Sequence, residues 1–132
     1  MRVVFDTNIF ISALTLPGDK ADRAVMRIIE GKDTLVISRE IIDEVLTVLA
    51  RKFSRDAEAL SSVAVNLAGM GEISRSVHNL KVLDDESDNR ILECAVAGNA
   101  EAIVTGDKAM LILKKYRHIR IISLGEFLRH AR

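Results

Sequence analysis

The chain has 132 residues, 48% of them hydrophobic, and a formal net charge of zero, which is the composition of one globular domain with a single core. Its 19 Lys and Arg balance 19 Asp and Glu, so no whole-molecule field steers a polyanion, and any nucleic-acid role must rest on a local patch or a bound cation. One cysteine excludes a disulfide framework and a thiolate zinc site, and no apolar stretch approaches the ~20 residues of a membrane span. The N-terminus has no leader pattern, so the expected compartment is cytoplasmic. With Trp absent and 4% aromatics, the core is expected to be built of Val, Ile, Leu and Ala, with Cys94 as a small buried apolar residue.

In chain order, the first expected strand covers 2–6 (RVVFD). It belongs to the stretch VVFDTNIFIS at 3–12, where Asp6, Thr7 and Asn8 interrupt an apolar run. A carboxylate inside such a run is costly without a partner and has no evident local task. A first helical stretch ends in the loop marked by Pro17 and Gly18. Residues 20–31 read as a helix with Ala21, Ala24, Val25, Ile28 and Ile29 on one stripe and Gly31 as its stop.

A second strand is expected at 33–38 (DTLVIS), followed by a helix at 39–52 that Ser38 caps and that buries Ile41, Ile42, Val45, Leu46, Val48 and Leu49. Another helix follows at 55–69. Residues 70–84 offer only a short edge strand at 80–83. Then come a helix at 88–98, a strand at 100–107, a short helix at 107–115, a strand at 119–124 and a closing GEFLRHA. Three of the four main strand runs are continuously apolar at their centres, as parallel strands covered on both faces are. Strands alternating with helices predict an α/β fold, a parallel sheet with right-handed crossovers.

In open parallel sheets ligands bind beyond the carboxyl ends of the strands. The acids placed there are Asp6, Glu44, Asp88 and Asp107. Taken singly, Asp88 reads as an N-cap, Asp107 as a turn residue and Glu44 as a solvated helix residue that Glu40 equals. Together they converge on one edge. Converging carboxylates raise one another's pKa unless a cation sits among them, and hard oxygen donors suit Mg²⁺ or Mn²⁺. No His or Cys lies near them, which argues against zinc. The chemistry these residues point to is metal-dependent phosphoryl transfer.

The segments VVFDTNIFISAL, VISREIIDEVLTVLARKF, DDESDNRILECAVAGNAEAIVTGDKAML and IRIISLGEFL, in this order and spacing, resemble the PIN domain family. They are most similar to its small VapC-type members, the toxins of toxin–antitoxin pairs. The resemblance implies one PIN-like nuclease domain over 1–132, built as a three-layer α/β/α sandwich with a central parallel sheet. It implies an Mg²⁺- or Mn²⁺-dependent endoribonuclease that leaves 5′-phosphate and 3′-hydroxyl ends. Asp6 would bind the metal directly, Asp88 and Asp107 would share the ion or its waters, and Glu44 would orient or deprotonate the attacking water.

Asn8, Thr7 and Thr105 would support this cluster. Asp88 is preferred over Asp84 and Asp85 because it directly precedes Asn89 and the apolar helix. The implied partners are an RNA substrate, an antitoxin protein and a second copy of the chain, with no membrane. Cations for RNA are offered by Arg51, Lys52 and Arg55 and by Lys114, Lys115, Arg117, His118 and Arg120, with Tyr116 as a stacking platform. The alternatives are a PIN-like module without catalysis that binds RNA or protein, and a housekeeping RNA-processing nuclease. Receiver domains and aspartyl phosphatases need acid patterns this chain lacks.

Overall fold

Val3, Val4 and Phe5 are wholly buried, as are Ala102, Ile103 and Val104, because both runs lie at the centre of a sheet with helices on each face. The computed structural model describes residues 1–53, 56–76 and 79–130. Its strands are β1 (Arg2–Phe5), β2 (Thr34–Ser38), β3 (Glu72–Ser74), β4 (Ala102–Val104), β5 (Lys115–Tyr116) and β6 (Ile119–Ile122). They form one sheet in the order β3-β2-β1-β4-β6-β5, parallel except for β5 at one edge.

The helices are α1 (Thr7–Thr15), α2 (Lys20–Ile29), α3 (Arg39–Phe53), α4 (Ala57–Met70), α5 (Glu86–Ala97), α6 (Lys108–Leu113) and α7 (Leu124–His130). α1 packs on α2 and α3, α3 on α4, and α2 on α7, while α5 packs on β1, β2, β3 and β4. The chain moves outward from β1 to β3 and returns through α5 to β4. Right-handed crossovers therefore put α5 on the opposite face from α1 to α4, giving three layers. The expected α/β/α sandwich with its parallel sheet is what forms.

Several local expectations change. The first strand ends at Phe5, and Asp6 starts α1 as its N-cap, accepting the Ile9 N–H at 3.1 Å. The edge strand lies at Glu72–Ser74 and not at 80–83. Backbone N–H groups of 80–83 are taken by side chains: Leu80 donates to Glu93, and Val82 and Leu83 donate to Asn89. They are not free for a sheet ladder. α5 begins two residues before the expected start, because Asp85 caps it through the Ser87 N–H. α6 stops at Leu113, where Lys114 adopts φ 63°, and the chain turns into the β5–β6 hairpin.

Other expectations stand. Ser38 accepts the Ile41 N–H at 3.2 Å at the head of α3, and Gly31, at φ 77°, follows the end of α2. α4 starts at Ala57 with Asp56 as cap; residue 55 of the expected helix lies outside the described residues. The closing helix is α7, and residue 131 of the expected segment also lies outside them. The core holds more aromatics than expected. Phe5 packs on Phe10 and Phe127 with ring centroids 5.8 and 5.7 Å apart. Cys94 is buried, and desolvation pushes its thiol up to about 11, an inert state.

Gly98 ends α5 where the helix meets β2. A Cβ there would stand 2.2 Å from Cγ1 of buried Val36. Gly98→Ala is therefore expected to lower Tm by about 5 °C or more through overpacking. Calorimetry checks this, and an unchanged Tm would mean that β2 and α5 can move apart freely.

Candidate active site

The strand order reverses at β1, which has β2 on one side and β4 on the other. The crevice beyond the carboxyl ends of β1 and β4 is the switch point of the sheet. Asp6 follows β1 directly, and Thr105, Gly106 and Asp107 follow β4. Asp88 reaches the same end from the first turn of α5, which runs back across the sheet.

Asp6 is 5% exposed. Its carboxylate accepts the Thr105 hydroxyl and the backbone N–H groups of Ile9, Gly106 and Asn8. Thr105 Oγ in turn accepts the Asp107 N–H at 3.0 Å, so one hydroxyl ties the end of β1 to the end of β4. Burial pushes the Asp6 pKa up, and the four hydrogen bonds offset part of that. Asp107 caps α6 by accepting the Met110 N–H at 3.0 Å.

Asp88 carries the clearest perturbation: its pKa rises from 3.8 to about 7. Desolvation is the largest cause, followed by the charges of Asp107 and Asp85, a side-chain hydrogen bond with Asp107, and the charge of Asp6. Two carboxylates can hydrogen-bond only when one is protonated, so the contact with Asp107 favours the neutral form of Asp88. None of the ion pairs among the described residues involves Asp6, Asp88 or Asp107.

The other expected site residues fall differently. Glu44 is half-buried on α3, and nothing links it by hydrogen bond or charge to the aspartates. Asn8 is exposed and contributes its backbone N–H to Asp6, not its amide as a brace. Thr7 is buried, but its hydroxyl has no partner, whereas Thr105 does bond a carboxylate.

The basic clusters also sit elsewhere. Arg51 and Lys52 are in the last turn of α3, ~20 Å along the helix from Ser38. Arg55 lies outside the described residues. Lys115 pairs with Arg120, level with Ala102 at the start of β4, so the second cluster lies toward the other end of the sheet. Among the described residues Arg39 follows β2, Arg75 follows β3 and Lys108 heads α6 after β4, all three exposed. The rule that located the acids would have found these as well.

The donor set is all carboxylate, the chemistry of Mg²⁺ or Mn²⁺, and the orphaned Thr7 hydroxyl adds a buried oxygen next to Asp6. No group of three or more His, Cys, Asp or Glu is drawn together to hold an ion among the described residues. Asp6 is turned to Thr105 and the N–H groups, and Asp88 to Asp107. The residues fit a hard cation by type, in an arrangement that favours the neutral forms of Asp6 and Asp88.

Residues 2–109 match the model of the PIN domain family. The chain belongs to the PIN domain family. An uncharacterized protein of Methanocaldococcus jannaschii, MJ1680, is 30% identical over 131 residues, covering 94% of this chain and 84% of that protein. VapBC2 from Rickettsia felis, in a crystal structure with a DNA fragment from their promoter, matches 93% of this chain and 98% of its own with a TM-score of 0.65. At 17% identity that likeness shows a common fold. PIN domains are typically nucleases, so phosphodiester hydrolysis is the family-level expectation for this chain.

Proposed function

We propose that this PIN domain is a divalent-metal-dependent endoribonuclease whose ion is held by Asp6, Asp88 and Asp107. The observation that supports this is that Asp6, Asp88 and Asp107 lie at one end of the sheet within electrostatic reach of one another, with no cation paired to them among the described residues and two of them pushed toward the neutral form. A cation bound there would supply a Lewis acid that stabilises negative charge on the phosphodiester oxygens.

The chain's own residues do the rest. Thr105 and the N–H groups of Ile9, Asn8 and Gly106 hold Asp6 at the crevice floor. Asp88, whose neutral form the metal-free site favours, must ionise to join Asp107 as a ligand, so binding is expected to strengthen as pH rises through the titration of Asp88. Glu44, six residues past the end of β2 on α3, orients or deprotonates the attacking water, and Arg39 and Lys108 contact flanking phosphates.

The partner in this reading is an antitoxin, as the two-component name of the Rickettsia felis neighbour suggests. A groove of about 730 Å³ between α1, α2 and α4, lined by Phe10, Leu14, Val25, Ile29 and Val65, supports an apolar peptide contact. A homodimer and a cytoplasmic setting belong to the same reading. No helix among the described residues is long and apolar enough to cross a membrane.

Single-turnover cleavage of an unstructured RNA with Mn²⁺ or Mg²⁺, with and without a chelator, tests the reading. Cleavage that needs the ion and leaves 5′-phosphate ends is expected. Cleavage that survives chelation would remove the metal, and binding without cleavage would favour the non-catalytic module.

A further inference from the structure

Residues 79–85 form no helix or strand, yet they lead directly into the turn that presents Asp88. What fixes this segment is a row of side chains on α5. Asn89 is fully buried and commits its whole amide to it. Its Oδ1 accepts the N–H of Val82 at 3.1 Å and of Leu83 at 2.9 Å, and its Nδ2 donates to the Leu83 carbonyl at 2.8 Å. One turn further along, buried Glu93 accepts the Leu80 N–H at 2.6 Å.

Asparagine is a poor helix former, and a buried amide left unpaired is costly. A fully buried Asn in the first turns of a helix is therefore held there by the bonds it makes. Those bonds act as a strand partner would, on a segment that joins no sheet. The first turn of α5 is fixed from two sides, by the Asp85 cap on the solvent side and by Asn89 on the buried side. Asp88 is the residue between them in sequence, and any tilt of that turn moves its carboxyl relative to Asp107 and Asp6.

We propose that Asn89 is a positioning residue for Asp88: it locks the 82–85 turn to α5 and so sets where that carboxyl stands in the cluster. This rests on the reading of Asp88 as a metal-binding carboxylate. The role calls for both halves of the amide, two accepted bonds and one donated, which neither a carboxylate nor an aliphatic side chain reproduces.

The test compares wild type, Asn89→Ala and Leu67→Ala, the last a core truncation on α4 away from the crevice. Mn²⁺ affinity by titration calorimetry is expected to fall about tenfold or more in Asn89→Ala and to stay within about twofold in Leu67→Ala. Hydrogen exchange at Val82 and Leu83 is expected to speed up about tenfold in Asn89→Ala beyond any change in the core amides. Equal Mn²⁺ affinity in the two variants, or unchanged exchange at Val82 and Leu83, overturns the proposal. If wild type binds no Mn²⁺, the metal reading falls and this positioning role falls with it, while faster exchange would still separate that failure from a missing anchor. Should Asn89→Ala not fold, Asn89→Ser is read by the same criteria.

Discussion

Asp6→Asn is expected to lower RNA cleavage on the order of a thousandfold while leaving the fold intact. An Asn side chain keeps the oxygen that accepts the Ile9 N–H, so the cap of α1 survives. Its amide can donate to Thr105 Oγ where the carboxylate now accepts from it, so the link between the ends of β1 and β4 can be kept with its polarity reversed. What is lost is the charge. Asp6 is buried, and desolvation raises its pKa, so the ionised form is a burden on the metal-free protein. Tm near pH 8 without metal should therefore hold or rise in the variant. A single-turnover assay paired with a thermal melt checks both halves: undiminished cleavage would remove Asp6 from the mechanism, and a collapsed Tm would make the cap its main role.

The second large effect concerns pH. The Asp88 pKa stands at about 7 in the folded protein against 3.8 for an ordinary aspartate. Between those values the folded state keeps a proton that the unfolded state releases. Stability of the metal-free protein therefore falls as pH rises through that window and levels off above it. Below it both states are protonated and the penalty vanishes. Asp88→Asn is neutral throughout, so its Tm should exceed that of wild type by on the order of 5 °C at pH 8 and converge with it at pH 4. Denaturation across this range reads the difference. Parallel curves for the two proteins would mean that Asp88 titrates normally and that the cluster is looser than its contacts imply.

Much of the fold was legible because its signals are local and redundant. Val3-Val4-Phe5 and Ala102-Ile103-Val104 are apolar without alternation, which suits only strands covered on both faces. Ser38 and Gly31 announce helix ends by chemistry that needs no tertiary context. The strand-end rule then collected Asp6, Asp88 and Asp107, since it depends only on knowing where strands stop.

The misplaced edge strand has a specific cause, distant side chains that take over backbone groups. Leu80, Val82 and Leu83 look like an edge strand until Asn89 and Glu93 claim their N–H groups. Asp6 looked idle because apolar residues flank it on both sides, which hid a helix beginning at the next position. In DDESD several acids can cap a helix, and packing selected Asp85, leaving Asp88 free for the crevice. The basic clusters were misplaced relative to the acids because sequence does not say which end of a sheet a hairpin reaches.

Thermal unfolding at pH 8 with and without millimolar Mn²⁺, in wild type and in Asp6→Asn, tests the metal-binding role of the aspartates most directly. Mn²⁺ is expected to raise the wild-type Tm by several degrees, as saturation at about 100 times Kd contributes ~2.7 kcal/mol, and to leave Asp6→Asn nearly unmoved. A wild-type Tm that ignores Mn²⁺, or an equal rise in Asp6→Asn, would contradict a metal site built on Asp6, Asp88 and Asp107.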